Sequence, residues 1–206
     1  MREQFNNELV KLRDSYSEMV ENTVKNYYQS YDFIRYGGEE RLTNMHQLKE
    51  EIYRSGSIIE DHCNLLIAKQ QPVASDLKKI MMILESLQDI KRICDYSVHI
   101  AMLRGEINMD DRILRHLEAF NVIIKQMLSL LKSGLKDHYT NVCIEVSDLD
   151  SKIDDLYNKM QSEPFELSDI DIQLARYEII MTKASRFYER IGDHIVNICD
   201  KMRQYT

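Results

Sequence analysis

Chain breakers are scarce in this protein of 206 residues, which holds only 6 Gly and 2 Pro. Folds made of many strands need frequent turns, so this scarcity argues against them and favours long helices. Cysteine is also thinly spread. Cys63, Cys94, Cys143 and Cys199 form no CxxC pair. That spacing suits neither a disulfide framework nor a thiolate metal site, and it predicts four reduced, mostly buried thiols in a cytoplasmic protein. The opening residues, MREQFNNELVKLRD, contain no apolar core of a signal peptide. No run of 18 apolar residues occurs, so no membrane-spanning segment is expected. Motifs of common enzymes are missing as well: there is no GxGxxG, Walker loop, GxSxG or HExxH.

Hydrophobic residues make up 44% and charged residues 30%, which is the composition of a folded, globular chain. The length fits one large domain or two small ones. Asp and Glu outnumber Lys and Arg by 34 to 27, a formal net charge of −7. An anionic surface repels nucleic-acid phosphates and acidic lipid and suits cations or basic partners.

Apolar residues recur at steps of three and four. In the first segment they are Phe5, Leu12, Tyr16, Met19, Tyr27 and Ile34, and Gly37-Gly38 ends the pattern. A second helix is predicted from about Glu40 to Gln70, through Leu48, Ile52, Ile59, Cys63 and Leu66, with Pro72 behind it. A third, from about Ala74 to Leu103, carries Leu77, Ile80, Leu84, Leu87, Ile90, Cys94 and Val98, and Gly105 closes it. Then the pattern restarts. A fourth helix runs from Ile113 to Leu131 and breaks near Gly134; a fifth runs from Tyr139 to Met160, followed by Pro164. Ser168 is placed to cap a sixth, whose buried side holds Leu174, Tyr177, Met181, Ala184, Ile191, Ile195 and Ile198.

Three helices, a break and three more helices suggest an internal repeat of about 100 residues. KRICDYSVHIA (91–101) aligns without gaps on ERIGDHIVNIC (189–199), with Arg, Ile, Asp, Val and Ile matching at a constant offset of 98. The expected fold is therefore all-α, two tandem pseudo-symmetric three-helix bundles with a division at 105/106.

Two rows of polar residues stand out. Glu189, Asp193 and Asn197 share one face of the sixth helix, and Asp150, Asp154 and Asn158 share one face of the fifth. Carboxylates one turn apart repel unless they are solvated, paired with a base or bridged by a cation. Arg186 and Arg190 lie close enough in sequence for pairing. If the two helices are neighbours, the four acids converge and can bridge Fe, Mn, Mg or Zn. From spacing alone, solvated stripes with local ion pairs are the commoner outcome.

ERIGDHIVNIC resembles the E/DxxxD signature of the PhoU family. LIAKQQPVASDLKKIMMIL (66–84) is similar to that family's helix-Pro-helix join, and DSKID to the acidic motif of its fifth helix. The resemblance implies paired three-helix bundles and a surface site for a multinuclear metal cluster, Fe or Zn, with Mg or Mn as further candidates. Carried over by position, its ligands are Asp150, Asp154, Glu189 and Asp193, with His194 and Asn197 as weaker neighbours. The resemblance also implies a non-enzymatic negative regulator of phosphate uptake and of the phosphate-starvation response. Its partners would be the ATPase of the phosphate importer and a sensor histidine kinase, and the protein would be a homodimer.

The first half departs from the pattern. Lys49 and Tyr53 stand where an acidic pair is expected, and Lys91 replaces the Glu, while Asp95 remains. An ammonium has no lone pair to donate, so no full cluster site is expected there. Cys94 in place of Gly, and His99 in place of Asn, are best assigned to packing. Two alternatives remain at this stage. One is a metal-free helical scaffold. The other is a ferritin-like di-metal enzyme, which needs Glu-x-x-His pairs in a four-helix bundle; the sequence contains no Glu-x-x-His.

Overall fold

A computed structural model describes residues 2–70, 72–135, 139–162 and 172–205. Six long helices account for nearly all of them: α1 (Arg2–Tyr36), α2 (Glu39–Gln70), α3 (Ala74–Met102), α4 (Asp111–Gly134), α5 (Tyr139–Ser162) and α6 (Ile172–Tyr205). A single 3-10 turn, Leu103–Gly105, follows α3. Pro164, the Ser168 cap and His138 lie outside the described residues, as do the side chains of Tyr139 and Leu174.

The helix ends have local causes. Gly37 takes φ +66°, and its N–H donates to the Phe33 carbonyl at 2.7 Å, closing α1 in the left-handed conformation that glycine tolerates. Arg104 reinforces this end by donating to the Ile34 carbonyl at 2.6 Å. At the start of α4 the Asp110 side chain accepts from the Ile113 N–H at 2.8 Å, an N-cap.

Helices α1–α3 form one bundle and α4–α6 another, and the halves meet through α3 against α6 and α1 against α4. The α3–α6 contact is antiparallel. Glu85 accepts from the Tyr205 hydroxyl at 2.7 Å, Asp89 from Lys201, and the Tyr96 ring stacks on His194 at 5.8 Å. Tyr96 and His194 are separated by the repeat offset of 98. Their contact therefore sits where each half meets its own counterpart, on the pseudo-twofold axis.

The core runs through both bundles as one continuous cluster, from Leu12, Tyr16 and Ile52 to Ile124, Ile153 and Ile195. Polar contacts inside it set register. Tyr27 on α1 donates to Asn121 on α4 at 3.0 Å, and the Tyr16 hydroxyl lies 2.8 Å from Ser86 on α3. Such bonds contribute little net but are costly to leave unmade.

One residue expected in the core is not there. Leu77 is 36% exposed. Most of residues 74–79 are exposed, and α3 turns apolar on several sides only farther along, where Ile80, Ile83, Ile90 and Ile93 are buried. Periodicity marks Leu77 and Ile80 alike; only the presence of neighbours separates them. Among the described residues, no helix is long and apolar enough to cross a membrane.

Candidate functional site

Helix α5 packs along α6, and Val146 and Ile153 of α5 and Ile191 and Ile195 of α6 are buried in the same core. That packing brings the two acid rows onto one face. Gly192 sets how closely they approach. A Cβ built at position 192 would stand 2.5 Å from Asp150 Oδ1, so the Asp150 carboxylate rests against the α6 backbone in space that only glycine leaves open.

The acids sense one another. Asp150 is pushed from the ordinary carboxylate value of 3.8 up to about 6, first by burial and then by the charges of Asp154, Asp193 and Glu189. Asp154 is also raised, by burial and then by Asp193 and Asp155. Glu189 is raised by burial and by Asp193, against the opposing pull of Arg190 and Arg186. Among the described residues the one direct base contact is Arg190, whose Nε lies 3.5 Å from Glu189 and whose guanidinium reaches Asp193 at 3.3 Å. Arg186 acts only at longer range.

All four residues named from the sequence, Asp150, Asp154, Glu189 and Asp193, are thus neighbours in one electrostatic cluster. Hard oxygen donors that repel one another suit a hard cation, which would relieve the repulsion. The side chains are nonetheless splayed. Among the described residues, no three His, Cys, Asp or Glu stand together at metal-holding distance. Arg190 draws Glu189 and Asp193 to itself, so a cation would have to displace it and draw the carboxylates inward.

His194 faces elsewhere. Its Nδ1 lies 2.8 Å from Asp89 Oδ1 on α3, and Lys201 holds the other carboxylate oxygen. Asp89 is only 7% exposed, and these two partners hold its carboxyl below the ordinary range despite burial, which pulls the other way. His194, Asp89 and Lys201 therefore tie the two bundles together. Sequence reasoning missed this link because 105 residues separate Asp89 from His194 and no spacing rule joins them.

In the first bundle the counterpart positions also meet. Lys49 Nζ lies 2.8 Å from Asp95 Oδ1, and the Tyr53 hydroxyl donates to Asp95 Oδ2 at 2.8 Å. Cys94 is buried, donates to Asn26 at 3.4 Å, and is pushed up to about 12 by burial, a packed thiol rather than a ligand. His99 packs on Phe187 at 5.4 Å. The four cysteines are free and buried.

The sequence profile of the PhoU domain matches twice, over residues 16–103 and 117–202. A curated relative from Deinococcus radiodurans, named a phosphate-specific transport system accessory protein PhoU homolog, is 27% identical over 167 residues. The match spans 80% of this chain and 78% of that one. The phosphate-specific transport system accessory protein PhoU homolog 1 from Methanothermobacter thermautotrophicus is 27% identical over 207 residues, spanning 96% and 91%. Two solved structures share the fold. PhoU from Pseudomonas aeruginosa superposes with a TM-score of 0.81 at 22% identity, covering 98% of each chain. The phosphate transport system regulatory protein PhoU from Streptococcus pneumoniae gives 0.82 at 20% identity, covering 98% and 96%. With a PhoU domain in each half and six helices arranged as in solved PhoU structures, this chain belongs to the PhoU family.

Proposed function

We propose that this protein is a non-enzymatic accessory regulator of phosphate transport. In this reading it restrains phosphate uptake and the starvation response by bridging the importer ATPase and a sensor histidine kinase. The observation that carries it is the PhoU match in both halves, joined to relatives named for the phosphate-specific transport system. The protein works as a cytoplasmic homodimer and reaches the membrane only through its partners.

The α5–α6 face is proposed as its cation site, with Asp150, Asp154, Glu189 and Asp193 as ligands for Fe or Zn, or for Mg or Mn. Support comes from the mutual elevation of the carboxylates around Asp150. When bound, a cation would supply positive charge that draws α5 and α6 together at this face. A metal-free scaffold is the second reading, and the Arg190 bridge to Glu189 and Asp193 favours it. The ferritin-like alternative is the least favoured reading, because the acid rows lie at the surface between two helices of a three-helix unit.

Two experiments test the proposal. Protein purified without chelator and supplied with Fe or Zn is compared by elemental analysis with a Glu189→Ala, Asp193→Ala variant. Stoichiometric metal in the wild type alone supports the cation site; none in either refutes it. Affinity capture with the importer ATPase tests the regulatory role. Enrichment no greater than that of an unrelated helical protein would count against it.

A further inference from the structure

Lys49 and Tyr53 of α2 meet Asp95 of α3 as Asp150 and Asp154 of α5 stand beside Asp193 of α6, an offset of 101 along the chain, and Lys91 and Asp95 of α3 align with Glu189 and Asp193 of α6 at the offset of 98. Four acids in the second bundle thus become two ammonium groups, one phenol and one acid in the first. With the acids and ammonium groups ionised and the phenol neutral, the second set carries four negative charges and the first carries one net positive charge.

The surviving acid is well held. Asp95 is 9% exposed and lies at the α2–α3 junction. Lys49 Nζ meets one of its oxygens at 2.8 Å, and the Tyr53 hydroxyl donates to the other at 2.8 Å. Arg92 approaches that second oxygen at 3.7 Å. The ammonium groups of Lys49 and Lys91 each lie 5.7 Å from the Tyr53 ring centroid. The ring therefore offers cations an attractive face where the second bundle offers a carboxylate. Close approach is arranged here too. A Cβ built at Gly56 would stand 2.5 Å from Lys91 Cε, so α2 leaves room for the Lys91 stem much as α6 leaves room for Asp150.

From this geometry we infer that Lys49 is a built-in cation. Its ammonium, reaching across from α2 to Asp95 of α3, does in the first bundle what a bound ion would do between the acid rows of the second. The first bundle is closed without any ion, and any ion dependence falls on α5–α6 alone. The first claim rests on the Lys49–Asp95–Tyr53 contacts; the second rests also on the cation site proposed above.

Two measurements test it on the full chain. In the first, Lys49→Met is followed by amide hydrogen exchange with chelator present. Exchange at residues 49–56 and 91–98 should accelerate at least tenfold, with Lys49→Arg restoring most of the protection. Unchanged exchange in Lys49→Met would overturn the inference. In the second, Lys49→Asp, Tyr53→Asp and Lys91→Glu are combined and titrated with Mn2+ alone, read by electron paramagnetic resonance and calorimetry. The triple variant should gain one Mn2+ site beyond the wild type, abolished by adding Asp95→Asn and retained on adding Asp150→Asn. A helical triple variant that gains no site would overturn the stand-in role of Lys49. If the triple variant does not fold, the exchange measurement decides alone. A wild type that binds no Mn2+, beside a triple variant that gains the Asp95-dependent site, would sink the α5–α6 proposal and leave the Lys49 inference standing.

Discussion

Replacing Asp150 by Asn should make the chelated protein more stable at neutral pH, although it removes a charged group from a packed site. The Asp150 carboxyl titrates near 6 in the fold against an ordinary 3.8. Because the folded state holds the proton more tightly, its pKa is raised. The ionised carboxylate therefore destabilises the fold above pH 6, and stability is gained as pH falls from about 6 towards 4. At about 1.4 kcal/mol per pH unit the full effect is about 3 kcal/mol. Solvent at the open side of the face screens part of this, leaving on the order of 1–2 kcal/mol. Asn keeps the shape beside Gly192 and removes the charge. The assay is urea unfolding from pH 4 to pH 8 with chelator, for wild type and Asp150→Asn. The difference between the two isolates this site from the other carboxylates. It should favour the variant by about 1–2 kcal/mol at pH 7.5 and shrink towards zero by pH 4. A variant less stable than wild type at pH 7.5, or a difference independent of pH, would refute the reasoning.

Three further outcomes follow from other contacts. Asp89→Ala removes the carboxylate that Lys201 and His194 share at the α3–α6 junction, leaving Lys201 with the Glu85 carbonyl, and should cost about 2–4 kcal/mol in urea unfolding; a loss below about 0.5 kcal/mol would show the link to be idle. Its contribution is present above the ordinary carboxylate range and fades as pH falls through the lowered value, opposite in sign to Asp150. Gly192→Ala puts a Cβ against Asp150 and should push the carboxylate outward, so the pH dependence assigned to Asp150 flattens; an unaltered pH profile would mean the contact does not hold Asp150 in place. The thiols of Cys63 and Cys94, both buried and raised to about 12, should resist Ellman's reagent at pH 8 until denaturant is added. Rapid labelling of the folded protein would contradict their burial.

Much of this architecture is written in local pattern. Six helices are legible because burial on a helix recurs every three to four residues, and their breaks are legible because Gly37-Gly38 and Pro72 interrupt that recurrence. The doubled plan follows from one gapless match, 91–101 on 189–199. The chemical inequality of the halves is equally local, since Lys49, Tyr53 and Lys91 stand where acids are expected.

Sequence alone determined which residues line each helix face and which charges they bring, because those properties belong to single residues at fixed spacing. Tertiary packing decided the rest. It left Leu77 exposed while burying Ile80, it turned His194 from the acid row to Asp89, and it set Lys49 on Asp95. It also set how near the four carboxylates stand, and Arg190 took up the Glu189 and Asp193 charges without closing a coordination shell. Contacts between residues about 40 to 105 positions apart depend on how helices cross, and no periodicity within one helix encodes that crossing.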